Sequence, residues 1–293
     1  MYYRYNTSKQ GNIIRIGKKE VPVKSIRELE TNKDDFCILI TNGEFESVMR
    51  QLDTIRNCDG HDCFISAIMQ LDREYKRRDF FVWKDYNEPQ IPKIINYCWF
   101  SGNPIPMQLK KCIDTWREKC PEYDIVRWDE SNFDVSKYKY TKEAYYARKW
   151  GYIPDIVRLE ILYEVGGFYF DTDVEIIKNI DELRYQSAFC GRERAGHINF
   201  GGGSGSVPHN KIIKEILDFR KDIPFDMGNG KYNLEASGYY ETEPLVKYGL
   251  VIEDINQKLD GINVYSSDFF SPYNYINGEN IRNSNTFSIH HFN

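Results

Sequence analysis

The sequence predicts an α/β fold in two parts, a small unit over residues 1–90 and a larger one over 91–293. Three observations carry that expectation. Short apolar, β-branched runs alternate with amphipathic stretches of helical length, as strands and helices do when wound on one sheet. A polar stretch with two prolines, KDYNEPQIP at 84–92, interrupts the pattern as a linker does. Length agrees, because 293 residues at roughly 150 per domain make about two domains.

In the first part, VPVKSIREL at 21–29 predicts a short strand and then a helix with Ser25 at its N-cap. FCILIT at 36–41 predicts a buried strand, and Asn42 can cap a helix running to about Arg56. Asp59-Gly60 breaks the chain before a second short strand at 62–65. Strand, helix and strand at this spacing form a right-handed crossover, half of a Rossmann-like unit. No GxGxxG accompanies it, so dinucleotide binding has no support, and a scaffold or docking role is the plainer expectation. A half-sized sheet with an open edge can also pair two copies into a homo-oligomer.

The second part begins with a strand at IINYCWF (94–100), a helix over 107–119 and a strand over 123–128. Helices are expected over 141–150 and 155–165, the latter ended by Gly166-Gly167. A strand from Phe168 to Phe170 then runs into Asp171-Thr172-Asp173. GGGSG at 201–205 invites a phosphate-loop reading but lacks the Lys-Ser/Thr that follows such a loop. It is read as a mobile segment lining an acceptor cleft, or else as a flexible connector. A helix over 210–219 and a tail rich in Asn, Tyr and Ser complete the chain.

Composition narrows the partners. A formal charge of −5 leaves no global cationic field to hold nucleic acid. Seven cysteines without a CxxC pair argue against a disulfide framework or a structural zinc site, and fit a cytoplasmic setting. No apolar run approaches the roughly 18 residues of a membrane span. Aromatic residues make up 15%, mostly Tyr, a side chain that stacks and hydrogen-bonds at once.

Chemistry concentrates in GGFYFDTDVE at 166–175. An apolar strand delivers Asp171 and Asp173 to its C-terminal end, where ligands of open α/β sheets bind. Alternate strand residues face one way, so both carboxylates can address one ligand. Hard oxygen donors in this number suit Mg²⁺ or Mn²⁺ shared with a diphosphate, although a DxD can equally be a solvated surface pair. Asp155 and Arg158, three apart on the preceding helix, share a face. They are either a surface ion pair or a grip on ribose hydroxyls and phosphate oxygens. Tyr97, Trp99 and Phe100 are either core residues or faces on which a base stacks.

IPKIINYCWFSGNPIP, YDIVRWDESNFDV, IPDIVRLEILYEVGGFYFDTDVEI and NTFSIHHF, in that order, resemble the DXD-containing sugar transferases of glycosyltransferase family 32, over about residues 91–293. The resemblance implies a GT-A fold, a nucleoside-diphosphate sugar donor (a UDP-sugar favoured), a divalent metal and transfer with retention to a glycan. The setting it suggests is bacterial capsular or other surface polysaccharide synthesis. It assigns Asp173 to the metal, Asp171 to the donor and to the metal through water, and Asp155 and Arg158 to the donor. Trp99 falls where the base is held. His290 would complete the metal or diphosphate site, with His291 as substitute. Asn96 stands where relatives have His, and Pro154 where they have Ser. Asp171, Asp173 and Arg158 are thus the expected catalytic group, and Glu241 an expected acceptor contact.

Two other readings compete. A haloacid-dehalogenase-type phosphatase also ends a strand in DxD, but Glu175 stands where it has Thr or Val. A non-catalytic glycan- or nucleotide-binding module explains the tyrosines but not the carboxylate pair. Finally, residues 73–84 and 137–150 each carry five basic side chains among aromatics. If the acceptor is a lipid-linked saccharide, such patches can dock the chain peripherally on an anionic bilayer; the alternative is solvated helix faces.

Overall fold

The computed structural model of the chain describes residues 2–4, 13–16, 19–31, 36–40, 45–58, 61–65, 82–274 and 278–292. The chain forms two compact units, Met1–Glu74 and Tyr75–Asn293.

The first unit has two small sheets. One joins β1 (Tyr2–Arg4), β2 (Ile13–Ile16) and β3 (Lys19–Ser25) in the order β1-β3-β2. In place of the expected helix after β3 stands a single stretch of 3-10 helix, Ile26–Thr31. Ser25 caps it: its Oγ accepts from the Arg27 N–H at 3.3 Å, and Glu28 reaches back to the Ser25 N–H at 3.2 Å. The other sheet pairs β4 (Ile38–Ile40) with β5 (Cys63–Ile65) in parallel across α1 (Phe45–Leu52). Leu29, Ile40, Leu52 and Ile55 form its core. Asn42, Asp59-Gly60 and most of the basic patch at 73–84 lie outside the described residues.

The second unit is built on a seven-stranded sheet. In chain order the first elements are β6 (Ile94–Cys98), α2 (Met107–Lys119), β7 (Asp124–Trp128), α3 (Lys139–Tyr146) and α4 (Pro154–Glu164). β8 (Gly167–Tyr169), β9 (Val174–Ile176), β10 (Ala188–Arg192), β11 (Ile198–Ser206) and α5 (Lys211–Lys221) follow. The last are α6 (Ser237–Val246), β12 (Gln257–Leu259), β13 (Ile262–Tyr265), the short α7 (Ser267–Phe270) and β14 (Ser288–His290). The sheet runs β12-β13-β10-β11-β8-β6-β7, while β9 and β14 pair as a separate antiparallel ribbon. The mixed α/β expectation is borne out, with β7, β6 and β8 forming a parallel half of the sheet.

Period-two alternation sorts the strand residues into two cores. Ile95, Tyr97, Phe168, Phe189 and Tyr265 pack with Trp116, Phe269, Phe270 and Phe287 on one face. Cys98, Tyr169, Ala188, Cys190 and Val264 meet α4 and α5 on the other. Tyr97 and Phe100 are therefore core residues, 7% and 3% exposed, and not surfaces for a base; Tyr97 stands edge-on to Trp116. The polar stretch at 84–92 hydrogen-bonds into this unit, with Asp85 and Tyr86 N–H on the Tyr185 carbonyl and Gln90 N–H on that of Arg184.

Two junctions aim β8 at the site. Gly166 ends α4 with φ +72°, a conformation other residues adopt at a cost. Asn96 then ties the turn down: its Nδ2 donates to the carbonyls of Gly166 and Phe168 at 3.1 Å, and its Oδ1 accepts from Trp128 Nε1 at 2.9 Å. This buried amide is a structural post.

The glycine run is the largest departure from the sequence reading. Residues 201–205 are neither mobile nor a connector; they lie inside β11, whose nine residues are all buried. The glycines are there because neighbours crowd the strand. A Cβ on Gly203 would stand 2.5 Å from Phe270 Cδ1, and one on Gly205 2.5 Å from Phe189 Cε1. The tail is also ordered into α6, β12 and β13, which low-contrast polar sequence did not announce. Gly203→Ala is accordingly expected to cost about 1–3 kcal/mol through overpacking, read as a lowered Tm. Gly151→Ala, whose added Cβ meets nothing within 4 Å, is the control and leaves Tm nearly unchanged.

Candidate active site

The acidic turn forms where β8 stops. Backbone bonds from Phe170 N–H to the Asn96 carbonyl and from Asp171 N–H to the Gly201 carbonyl, 3.2 and 2.8 Å, hold its start. A turn closed by Val174 N–H on the Asp171 carbonyl leads into β9. Because the chain turns here, strand alternation does not decide where the carboxylates point. Asp171 accepts from the Tyr169 hydroxyl at 3.0 Å and lies 3.7 Å from Arg158. Asp173 instead meets His290, Oδ1 to Nε2, at 3.3 Å.

The antiparallel register of β9 and β14 makes the second contact. His290 stands opposite Val174 and Ile289 opposite Glu175, so His290 arrives beside Asp173. Trp116 Nε1 donates to the Val174 carbonyl at 2.7 Å and fixes β9 from below. His291 falls elsewhere and pairs with Glu175 at 3.1 Å, which removes it as a substitute for His290. Burial disfavours the charged form of His290, but its bond to Asp173, with the charges of Asp173 and Asp171, more than offsets this and raises its pKa. On the far side of the ring, Asn199 Nδ2 bridges Nδ1 at 3.2 Å and Glu193 at 3.0 Å.

Arg158 is the other centre. On α4 it sits one turn above Asp155 and donates to it at 2.8 Å, with side chains only 5% and 8% exposed. This is a buried pair, not the surface bridge the spacing also allowed. Arg158 Nε donates to the Pro154 carbonyl at 3.1 Å, so the proline at the first helical position contributes a backbone oxygen. Tyr140 Oη donates to Asp155 at 3.4 Å. Arg220, buried and stacked between the Tyr140 and Tyr240 rings at 3.9 and 4.0 Å, adds positive charge nearby. Burial pushes the Asp155 carboxyl up against the pull of both arginines.

Glu241, expected to touch an acceptor, is enclosed instead. Its side chain is 2% exposed on α6, accepts from the Phe200 N–H at 3.0 Å and lies 3.6 Å from Arg158. Burial raises its pKa to about 7 despite Arg158 and the Phe200 amide. Beneath Arg158 and Asp171 runs β11. A Cβ on Gly201 would stand 2.0 Å from Asp171 Oδ2 and 2.6 Å from Arg158 Nη1, so only glycine leaves room for the pair. Trp99 is the one member of the aromatic trio left half-buried, its Nε1 on the Asn103 carbonyl at 2.7 Å. Sequence reasoning missed Tyr169, Asn199 and Glu193; the glycine run was the available sign that side chains from elsewhere close over β11.

A divalent cation fits part of this arrangement. Asp173 oxygen and His290 nitrogen are adjacent donors of suitable chemistry, but among the described residues no group of three or more His, Cys, Asp or Glu stands together to enclose an ion. A cation held at Asp173 and His290 would have to take the rest of its shell from oxygens outside the chain.

Residues 106–190, which include both aspartates, match the family described as "Glycosyltransferase sugar-binding region containing DXD motif". Over that stretch the chain resembles the DXD region of glycosyltransferases. The expected resemblance to DXD-containing sugar transferases is borne out over that region, and two curated proteins of Schizosaccharomyces pombe are similar to parts of the chain. Inositol phosphoceramide mannosyltransferase 3 is 36% identical over 143 residues, 46% of this chain and 35% of the relative. Inositol phosphoceramide mannosyltransferase 2 is 27% identical over 134 residues, 44% and 38%. The chain thus spans less than half the length of the curated relatives it matches. Among solved structures, one described as "PaToxG Glycosyltransferase" superposes with a TM-score of 0.44 at 17% identity, covering 69% of this chain and 77% of that one.

The site's charge makes a prediction. A carboxyl raised in the folded state binds its proton more tightly than in the unfolded chain, so Glu241 lowers stability as pH rises from its ordinary range, near 4.5, through about 7. Glu241→Gln is expected to remove that contribution, on the order of 3 kcal/mol or less, and to be relatively more stable at pH 8 than at pH 5. Thermal unfolding of both proteins across that range checks it; Asp254, raised to about 6 by burial, acts in the same direction in both.

Proposed function

We propose that this chain is a metal-dependent glycosyltransferase that moves one sugar from a nucleoside diphosphate to a hydroxyl of a glycan or glycolipid. The observation that carries the reading is the convergence of Asp171, Asp173 and His290 at a strand end beside the buried Asp155–Arg158 pair. Asp173 and His290 hold the cation, which when bound supplies Lewis-acid stabilisation of the departing diphosphate. Arg158 presents charge to the donor, oriented by Asp155 and Asp171. Asp171 and Asp155 accept hydrogen bonds from ribose or sugar hydroxyls, and Trp99 offers a face to the base.

Retention by same-face substitution suits this site better than a covalent glycosyl-enzyme, because each carboxylate described already has a partner. The family resemblance favours a UDP-sugar, whereas the names of the two fungal relatives make mannose the natural alternative sugar. A cytoplasmic role in bacterial surface polysaccharide synthesis remains part of the proposal. It is supported by the resemblance and by seven cysteines that are all free. No helix among the described residues is long and apolar enough to cross a membrane. Peripheral contact through 137–150 has narrower support than the sequence suggests. Of its four tyrosines Tyr140 is buried, Tyr138 and Tyr145 are half-buried, and Tyr146 is 76% exposed. Self-association through the first unit stays a proposal on the same footing.

Thermal shift with UDP-glucose, UDP-N-acetylglucosamine and GDP-mannose, each with and without Mn²⁺, tests the reading. A ligand that binds only the folded protein raises Tm, by about 2.7 kcal/mol of stability at a hundredfold excess over Kd. A Mn²⁺-dependent rise with one donor is expected, and Asp173→Ala is expected to abolish it. A rise that is indifferent to Mn²⁺ and to Asp173→Ala would favour a binding module instead.

A further inference from the structure

One carboxylate of the Arg158 cluster has no part in the transfer just described. Glu241 reaches the cluster from α6, and its two oxygens are used unequally. Oε2 accepts the Phe200 N–H, while Oε1 is buried, accepts no hydrogen bond and lies 3.6 Å from Arg158 Nη1. The other nitrogens of Arg158 are committed, Nε to the Pro154 carbonyl and Nη2 to Asp155. Nη1 stands between Glu241 at 3.6 Å and Asp171 at 3.7 Å, within hydrogen-bonding distance of neither.

The two carboxylates differ in what else they can touch. Asp171 is 26% exposed on the acidic turn and free to engage a donor; Glu241 is 2% exposed and closed to both substrates. Gly201 lies so close beneath Nη1 and Asp171 that a Cβ there would overlap both. We propose that Glu241 is a positioning residue, a fixed counter-charge that keeps Arg158 Nη1 in place when Asp171 turns to the donor. The inference rests on the donor role of Arg158 given above. Shielded from solvent, the attraction is little weakened by salt, and the Phe200 amide prevents the carboxylate from following Asp171 outward. Loss of Glu241 leaves Nη1 with a single anchor, and that anchor is the residue the donor recruits.

Glu241→Gln isolates this effect. The amide oxygen can still accept the Phe200 N–H, but an NH₂ group then faces Nη1, donor against donor. The test compares wild type, Glu241→Gln, Arg158→Lys and the double variant at pH 8 by two measurements. The first is side-chain ¹⁵N NMR of the Arg158 guanidinium, which needs no ligand. Rotation about its Cζ–Nη bonds is expected to be slow in wild type and about tenfold faster in Glu241→Gln; equal rates would overturn the proposal. The second is hydrolysis of UDP-glucose and of GDP-mannose with Mn²⁺.

Glu241→Gln is expected to raise donor KM about tenfold with kcat little changed, and to add less than about twofold in the Arg158→Lys background, since residues acting through one another are not additive. Additive losses would mean that Glu241 does not act through Arg158, which also overturns it. If wild type hydrolyses neither nucleotide sugar, the transferase reading fails for these probes, and the guanidinium rates alone decide the role of Glu241.

Discussion

A guanidinium buried against a sheet needs anions around it and empty volume beneath it, and the volume has to come from the strand it crosses. Here β11 supplies it by having no side chain at Gly201, where Arg158 Nη1 and Asp171 Oδ2 occupy the space a Cβ would take. Three carboxylates are arranged around that guanidinium: Asp155 from the same helix, Asp171 from the turn after β8 and Glu241 from α6. The three carboxylates raise the pKa of Arg158 despite its burial, so it stays charged at any working pH. A buried cluster of this kind adds little to net stability, because desolvation offsets the attraction. Its value lies in holding one charge in one place.

The second constraint is local and rigid. Asn96 and Gly166 determine where β8 begins, and the bond from Asp171 N–H to the Gly201 carbonyl determines where the acidic turn begins. Pinned at both ends, the DTD segment offers its carboxylates to two different partners and so divides the labour: Asp171 belongs to the arginine, Asp173 to the histidine. The charge of Asp171 still acts on His290, so the halves are electrically joined.

Much of this was legible in the sequence. The helix over 107–119 is predicted to the residue, since its apolar spacing and flanking prolines leave no other period. The three-residue spacing of Asp155 and Arg158 fixed their common face, but not that it points inward, because burial depends on which elements cover the helix. The aromatic trio misled in two members for the same reason: β6 is an interior strand with packing on both faces, so Tyr97 turns inward, and Phe100, two residues past its end, packs edge-on to Phe133. The glycine run misled most. Gly-rich composition ordinarily signals freedom, and only the tertiary neighbours Phe270, Phe189, Asp171 and Arg158 turn it into a sign of crowding. The pairing of Asp173 with His290 needed the register of β9 and β14, which no local pattern encodes; it was available from the family resemblance alone.

That ribbon has a consequence for how the site comes into being. Three residue pairs join β14 to β9, and the strand carries His290 from well downstream in the chain to a turn made by residues much earlier. A ribosome completes Asp155, Arg158, Asp171 and Asp173 well before it completes His290, so the nascent protein passes through a stage in which Asp173 has no histidine beside it. This later-made strand thus acts as a latch on the site. A chain still in synthesis, or nicked between β13 and β14 with the fragment lost, lacks the nitrogen beside Asp173.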